Sequence, residues 1–372
     1  MMFSFAAVAY ITYNLAHLAT SLTNKNGAGT TLSSFAYSYS ADGNILSETD
    51  NLGNFTNYTY DKLGRLISEV GNTGSKVYSY DVSGNRTQAI IDTATTISYT
   101  YDTAGQLAYE ISNNGSTSET TTYTYDPSGN LTAKTKGVST TTYTYNVWGN
   151  MTSGAGATYG YNAQNLRTSK TVGNETDNFV LVGGNVWSDG TTDYLRGIEL
   201  ISNGTQLYLY NIRGDVIQLV DFDGTVTKTY DYDAYGNELT RDLADENPFR
   251  YCGEYYDTET GFIYLRARYY DPLTGRFTSI DPIKDGLNWY AYCNCDPVNF
   301  VDHFGLRAKE LERKSNTESG KGVLQELSES ITEQQKTIIR KIRSSLYLSK
   351  FSTEIDISNH LMLPYIKNIR RS

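Results

Sequence analysis

The sequence predicts an all-β fold of repeated β-hairpins that form one continuous coiled sheet, followed by a short α-helical tail. The first observation is composition. Tyr, at 33 of 372 residues, is as frequent as Gly, at 32, and Tyr favours strands while Gly favours turns. The second is a repeated pattern, Tyr-x-Tyr-Asp-x-x-Gly-x-Leu, whose glycines lie at positions 43, 64, 84, 105, 129 and 149. A period this regular predicts a repeat architecture.

Each repeat encodes two strands and two turns. In the copy at residues 58–66, the two Tyr side chains fall on one face of a strand and Thr falls on the other. Asp61 can accept backbone amides of the turn, and Gly64 supplies the left-handed conformation that reverses the chain. Since a single hairpin is only marginally stable, neighbouring hairpins are expected to pair side by side into a long sheet.

The repeat array is predicted to span residues 1–247. Its first copy is a degenerate one, in which Tyr13 and Asn14 begin a turn that ends near His17. The apolar N-terminus is therefore interpreted as a strand pair and not as a signal or membrane segment, because it lacks a basic region and a cleavage site. Between 172 and 218 the period loosens while strand and turn residues continue, so no boundary is predicted there.

The rows of Tyr allow two interpretations. They could pack neighbouring hairpins together, or they could form a platform of aromatic rings that binds a cell-surface glycan. Because the Tyr residues recur uniformly along the array and are not confined to one place, packing is favoured. A carbohydrate-binding or adhesion module remains the alternative function.

Residues 248–306 differ from the array and are predicted to form its end-cap. They contain the densest run of aromatic, Arg and Asp residues and four of the six Pro residues. They also hold Cys252, Cys293 and Cys295, which are expected to be buried or free thiols, because the three His of the chain offer little for a metal site. No cofactor is expected.

The repeats and residues 248–306 closely resemble the YD-repeat (Rhs) family and its repeat-associated core region. The resemblance covers residues 10–306, and the core residues that carry it are RARYYDP (266–272), GRFTS (275–279), DP (281–282), DGLN (285–288) and PVNFVDHFGL (297–306). It implies a β-sheet shell that encloses a C-terminal effector, with the core closing one end. It further implies a polymorphic toxin used in bacterial competition, secreted or on the cell surface as part of a longer protein, with an immunity protein as partner. The short array and the lack of a delivery domain indicate either the C-terminal fragment of such a protein or the product of a remnant gene.

The resemblance also implies self-cleavage of the aspartic-protease type. The matching positions are Asp281 and Asp302, with the scissile bond between Leu306 and Arg307. Two carboxylates that share one proton suit this chemistry, since one activates water while the other protonates the leaving nitrogen. Arg276 matches the core Arg of the family and is expected to orient a carboxylate or polarise the carbonyl.

The same residues have a simpler interpretation and one departure from the family. Asp-Pro and Asp-Gly are turn dipeptides, so Asp281 and Asp302 could merely stabilise turns. The family pattern at the cleavage site is Asp-Pro-x-Gly-Leu, whereas His303 stands here in the place of Pro. A residue without the fixed φ of Pro is expected to present the bond more loosely. A role for His303 as a general base is the less favoured alternative.

The tail, residues 307–372, loses the Tyr and Gly pattern and has apolar residues at helical spacing. It carries 13 Lys and Arg against 8 Asp and Glu, whereas the rest of the chain carries 18 against 33. The acidic body argues against nucleic-acid binding by the array, and no membrane-spanning helix is predicted. By position the tail is the variable effector, and no recognisable enzymatic motif assigns it an activity.

Overall fold

The computed structural model describes residues 7–311. The first seventeen strands form one antiparallel sheet in which each strand pairs with the next along the chain. They are β1 Val8–Tyr13, β2 Ala19–Lys25, β3 Thr31–Tyr39, β4 Ile45–Asp50, β5 Phe55–Tyr60, β6 Leu66–Gly71, β7 Ser75–Tyr80, β8 Arg86–Ile91, β9 Thr95–Tyr101, β10 Leu107–Asn113, β11 Ser118–Tyr125, β12 Leu131–Lys136, β13 Ser139–Tyr145, β14 Met151–Gly154, β15 Ala157–Tyr161, β16 Arg167–Val172 and β17 Glu175–Asn178. The predicted all-β repeat fold is confirmed.

The remaining strands form smaller sheets. A hairpin (β18 Val180–Val182, β19 Asn185–Ser188) precedes a five-stranded sheet (β20 Leu195–Arg196, β21 Leu200–Ser202, β22 Gln206–Tyr210, β23 Val216–Asp221, β24 Val226–Thr229). The core region holds a four-stranded sheet (β25 Tyr255–Asp257, β26 Phe262–Leu265, β27 Arg268–Asp271, β28 Arg276–Phe277) and a last pair (β29 Phe300–Val301, β30 Lys309–Glu310). Two short 3-10 helices lie at Tyr251–Gly253 and Tyr292–Cys295.

The Asp-x-x-Gly turns form as the sequence predicts. Asp81 Oδ1 accepts the amides of Ser83 and Asn85 at 2.9 and 2.8 Å, while Gly84 has φ +80° and donates its amide to the Asp81 carbonyl. The degenerate first turn follows the same plan. Asn14 Oδ1 accepts the amides of residues 16 and 18, and His17, at φ +62°, replaces the Gly. The N-terminal segment described here is thus a strand pair of the array.

The Tyr rows pack the repeats together. The first Tyr of each copy is buried, as at Tyr37, Tyr58, Tyr78, Tyr99, Tyr123, Tyr143 and Tyr159. The second Tyr donates its hydroxyl to a backbone carbonyl of an earlier strand, in the pairs Tyr39–Ala19, Tyr60–Ile45, Tyr80–Leu66, Tyr101–Arg86, Tyr161–Met151 and Tyr210–Leu200. These rings are therefore not exposed in the way a glycan platform requires.

The core region covers the Tyr face of the large sheet. The rings of Tyr143 and Phe262 pack in a tilted arrangement with 5.4 Å between their centroids, and the ring centroids of Tyr159 and Tyr269 lie 5.7 Å apart. Arg167 on β16 forms a fully buried ion pair with Asp257 on β25 at 2.5 Å. The Tyr face of the large sheet is thus buried against residues 248–306 of the same chain.

Two features differ from the sequence-based expectations. The large sheet ends at β17, after which the strands belong to separate sheets. The tail begins as a strand, since Lys309 pairs with Val301 in β29. The predicted helical tail lies in residues 312–372, outside the described residues. None of the described helices is long and apolar enough to cross a membrane.

Candidate functional site

Asp281 and Asp302 converge on one guanidinium group. Arg268, the first residue of β27, places Nη2 3.6 Å from Asp281 Oδ2 and 3.7 Å from Asp302 Oδ2. All three side chains are at least 95 % buried. The structure therefore brings together the two carboxylates that the sequence analysis paired, although they are 21 positions apart in the sequence.

The Arg268 side chain is held from several sides. Its guanidinium lies 3.5 Å from the centre of the Phe277 ring, and Nη1 donates to the Trp289 carbonyl at 3.0 Å. Burial lowers the pKa of Arg268 to about 10, against the opposing effect of the two carboxylates. Arg268 remains charged at neutral pH and supplies the positive charge that two buried acids in one pocket require.

Asp302 contacts the segment that follows it. Its Oδ1 accepts the amides of Phe304 and Leu306 at 3.3 and 3.1 Å. Burial raises the pKa of Asp302, although the amides of Leu306, Arg307 and Phe304 and the charge of Arg268 oppose the shift. The carboxylate thus lies close to the backbone on both sides of the Leu306–Arg307 bond. Asp281 Oδ1 accepts the Ile283 amide at 2.9 Å and so also stabilises a turn.

Three consecutive carbonyls before the predicted scissile bond are held by three consecutive residues at the β26–β27 connection. Arg266 donates to the His303 carbonyl at 2.6 Å, the Ala267 amide donates to the Phe304 carbonyl at 3.1 Å, and Arg268 Nε donates to the Gly305 carbonyl at 2.5 Å. The backbone at Gly305 has φ +65°, and a Cβ built there would lie 2.7 Å from the Leu265 carbonyl oxygen. We call the three donor residues, Arg266, Ala267 and Arg268, the binding groove. Their hydrogen bonds fix the chain up to the residue before Leu306.

The predicted cleavage site lies at the surface end of this groove. Leu306 is half-buried, whereas the Arg307 side chain is 70 % exposed and pairs with Asp285 at 2.9 Å. Beyond it, the Leu311 amide donates to the Asn299 carbonyl at 3.0 Å and the Leu311 side chain is buried. The chain on both sides of the Leu306–Arg307 bond is therefore anchored to the core.

Arg276 does not take the position that the sequence analysis gave it. Its guanidinium donates to Asn85 Oδ1 at 3.0 Å and to the Gly105 carbonyl, and it lies 4.7 Å from the centre of the Tyr101 ring. These partners belong to the repeat array, so Arg276 ties the core to the array. The contact with the carboxylates expected of Arg276 is made by Arg268.

Arg268 belongs to the motif RARYYDP (266–272), but the sequence alone predicted no role for it. Arg266 lies in the turn between β26 and β27 with φ +59°, so the spacing of the two Arg residues along the chain does not place them on one strand face and gave no signal of their shared role. Their common target, the segment 302–306, could not be inferred, since it depends on how the loop after β28 folds back.

His303 contacts an acid that the sequence analysis did not consider. Its Nδ1 lies 2.9 Å from Oε1 of the buried Glu254, whose second oxygen pairs with Arg266. Burial opposes protonation of His303, but the hydrogen bond to Glu254 and its negative charge outweigh burial and raise the pKa of His303 above its ordinary value of 6.5. His303 thus links the segment before the predicted cleavage site, residues 302–306, to the core. Among residues 7–311, the hydrogen bond of its ring is to Glu254 and not to Asp281 or Asp302.

The three cysteines are free and buried. Burial raises the pKa of all three thiols, that of Cys295 to about 11, so they are neutral at physiological pH. Cys295 donates to the Gly84 carbonyl at 3.2 Å and thereby contacts a turn of the array. Residues 7–311 contain no cluster of three His, Cys, Asp or Glu side chains that could hold a metal ion.

Comparison with known proteins identifies the repeats. Residues 39–76 match the RHS repeat family, and residues 78–178 and 198–298, more than half of the chain, match the Teneurin YD-shell family. The chain is 38 % identical over 207 residues to the tRNA3(Ser)-specific nuclease WapA of Bacillus spizizenii and 34 % identical over 207 residues to the tRNA nuclease WapA of Bacillus subtilis. It is 36 % identical over 96 residues to double-stranded DNA deaminase toxin A of Burkholderia cenocepacia.

These matches cover half of this chain for the two nucleases and 24 % for the deaminase toxin, but only 7–8 % of those proteins. Among solved structures, the TcdB2-TccC3-Cdc42 complex matches 80 % of this chain and 21 % of its own at 18 % identity, with a TM-score of 0.46. The Tc holotoxin pore of Photorhabdus luminescens matches 81 % of this chain and 21 % of its own at 18 % identity, with a TM-score of 0.44. On the family matches, the chain belongs to the YD-shell family of Rhs repeat proteins.

Proposed function

We propose that this chain is part of a bacterial polymorphic toxin, and that its core cuts the chain once, after Leu306, to free the segment that follows. One observation carries the proposal. Asp281 and Asp302 flank Arg268, and Asp302 Oδ1 accepts the amide of Leu306, the residue whose carbonyl cleavage would attack.

The two acids have different environments and therefore different proposed roles. The raised pKa of Asp302 suits a general acid, which would give its proton to the Arg307 nitrogen as the C–N bond breaks. Asp281 would act as the base that takes a proton from water while the water oxygen attacks the Leu306 carbonyl carbon. The direct products would be a carboxylic acid at Leu306 and an amine at Arg307, which at neutral pH become a carboxylate and an ammonium group. Asp281 ends protonated and Asp302 ends ionised, so the two acids exchange their protonation states in the single turnover.

Arg268 would position both partners of this reaction. Its Nε holds the Gly305 carbonyl, one residue before the bond, while Nη2 lies beside both carboxylates. Because the bond is presented within the same chain, its effective concentration is high and a single turnover needs only a modest rate acceleration. Arg276 would support the reaction only indirectly, by fixing β28 to the array.

The segment that follows the cut, residues 307–372, is the proposed effector, enclosed within the shell of a longer, secreted or surface-bound protein. The relatives named as tRNA nucleases and as a deaminase toxin support a toxin role. An immunity protein that binds this segment is part of the same proposal. After cleavage the segment would stay attached under native conditions, because β30 pairs with β29 and Leu311 is buried.

Pulse–chase synthesis of the full chain in a cell-free system tests the cleavage. Samples are denatured before analysis, since the products are expected to stay associated. Asp281→Asn and Asp302→Asn should each slow the appearance of fragments at least about 100-fold, the usual contribution of general acid–base catalysis. Asp223→Asn is the matched control, because Asp223 is exposed and its Oδ1 accepts the Thr225 amide at 2.9 Å in the turn after β23. Cleavage of both site variants at the wild-type rate would refute the assignment.

A further inference from the structure

His303 and its contacts distinguish this cleavage segment. A Pro at this position would fix φ at about −65° and so restrict the backbone between Asp302 and the scissile bond. His303 lacks that restriction, and here a set of side-chain contacts restrains the same residue. The inference below rests on the proposed self-cleavage and concerns how the segment is held for it.

The contacts of His303 form a closed ring. The imidazole Nδ1 lies 2.9 Å from Glu254 Oε1, Glu254 Oε2 pairs with Arg266 Nη1, and the same Nη1 donates to the His303 carbonyl at 2.6 Å. Arg266 Nη2 is fixed in turn by Asn185 Oδ1 at 2.7 Å. Glu254 thus binds the His303 side chain, and its partner Arg266 binds the His303 carbonyl.

We propose that this ring, the His303–Glu254–Arg266 clamp, positions the scissile segment in place of a rigid Pro, and that loss of the proton from His303 opens the clamp and slows self-cleavage. Protonated imidazole donates a charge-assisted hydrogen bond to Glu254, which neutral imidazole can replace only by a weaker one. His303 is therefore a positioning residue, one position from Asp302 and three from Leu306.

The charges that face His303 come from three parts of the fold. Glu254 precedes β25, Arg266 follows β26, and Glu199 lies beside β21, where its negative charge also favours protonated His303. Arg196 on β20 adds a positive charge near Glu254 and Arg266. Two acids and one guanidinium group therefore act directly on the charge of the imidazole.

The direction of the pH effect follows from these neighbours. The pKa of His303 is raised in the folded state, so the clamp is complete at acidic pH and is lost as the pH rises through this raised value. Burial shifts the pKa of Glu254 upwards, but Arg266 and His303 outweigh burial and lower it. Glu254 therefore stays ionised, and His303 is the member of the clamp that changes charge near neutral pH.

The test compares cleavage rates of the full chain between about pH 5 and pH 9. Self-cleavage by the two Asp carboxylates is itself expected to vary with pH. The ratio of the wild-type cleavage rate to the cleavage rate of His303→Pro at each pH therefore isolates the effect of His303. His303→Pro keeps Asp281 and Asp302 and removes the titrating group. The ratio is expected to fall about fivefold as the pH rises, because a partly exposed charged hydrogen bond is lost. His303→Gln provides a second comparison that does not restrict φ, and Glu254→Gln should reduce cleavage chiefly at acidic pH.

The possible results separate the clamp from self-cleavage itself. A ratio that stays constant with pH, against both His303→Pro and His303→Gln, would overturn the clamp and leave self-cleavage standing. Failure of wild type and of both variants to cleave at any pH would overturn self-cleavage and the clamp together. A falling ratio that Glu254→Gln abolishes would support the clamp.

Discussion

The buried ion pair between Arg167 and Asp257 should contribute strongly to the attachment of the core to the array. The two side chains are 1 % and 0 % exposed, and Arg167 Nη1 lies 2.5 Å from Asp257 Oδ2. Arg167 also lies within 4.6 Å of the ring centres of Tyr255 and Tyr264. Removing one member of such a pair leaves the other charge buried without its partner.

Arg167→Met is therefore expected to lower the free energy of unfolding by about 3 kcal/mol, the lower end for a broken buried pair. The lower end applies because Lys170 Nζ remains 3.7 Å from Asp257 Oδ1 and offers partial compensation. Lys136→Met is the matched control, since Lys136 and Glu119 form a pair whose side chains are 58 % and 51 % exposed, and its loss should cost less than about 1 kcal/mol.

The pH dependence of this variant provides an independent check. Burial already raises the pKa of Asp257 against the effect of Arg167, and removing Arg167 should raise it further. A carboxyl whose folded pKa exceeds its unfolded value destabilises the folded state as the pH rises. The deficit of Arg167→Met should thus be smaller at about pH 5 than at about pH 8.

The assay is urea unfolding of the full chain followed by Tyr and Trp fluorescence at both pH values. Arg167→Met/Asp257→Asn should recover part of the loss, because the double variant no longer buries an unpaired charge. Equal losses for Arg167→Met and Lys136→Met, or a deficit that shrinks as the pH rises, would refute the reasoning.

Two further predictions follow from contacts within the array and the groove. Tyr101→Phe removes the hydroxyl that donates to the Arg86 carbonyl at 2.7 Å and should lower the free energy of unfolding by about 1 kcal/mol, while Tyr109→Phe, at an exposed ring, should change it little in the same urea titration. Gly305→Ala places a Cβ 2.7 Å from the Leu265 carbonyl oxygen at φ +65°. This substitution should slow the proposed self-cleavage about tenfold in pulse–chase synthesis without lowering expression. An unchanged rate would contradict the role of the binding groove in holding residues 303–305.

The repeat array could be predicted from the sequence because its information is local. An Asp that accepts the amides two and four positions on, followed by a Gly with positive φ, determines a turn without reference to the rest of the chain, as at Asp81 and Gly84. The same holds for the spacing of Tyr on one strand face. Even the degenerate first copy could be recognised, since Asn14 offers the same side-chain acceptor as Asp.

The core could be predicted only in part because its contacts are long-range. Asp281 and Asp302 were paired through the family resemblance, and the structure places both beside Arg268. The choice between Arg268 and Arg276 depends on which face of β27 and β28 meets the array, and no local pattern determines that. The contact between His303 and Glu254 joins residues 49 positions apart and was equally inaccessible.

The end of the large sheet at β17 has a similar cause. Residues 180–202 keep the Gly-containing turns of a repeat, but β18 pairs with β19 alone and β20–β24 form a sheet of their own. Turn chemistry predicts where the chain reverses, but it does not determine which strands pair across the sheet.

The intact mass of the purified full chain, measured under denaturing conditions, tests the central claim most directly. We expect two species, one ending at Leu306 and one beginning at Arg307, which elute together on a native column because β29 and β30 pair. The N-terminal sequence of the smaller species should begin Arg-Ala-Lys-Glu. A single uncut mass for a folded wild-type chain, or a cut at another bond, would contradict the assignment of Asp281 and Asp302 to self-cleavage.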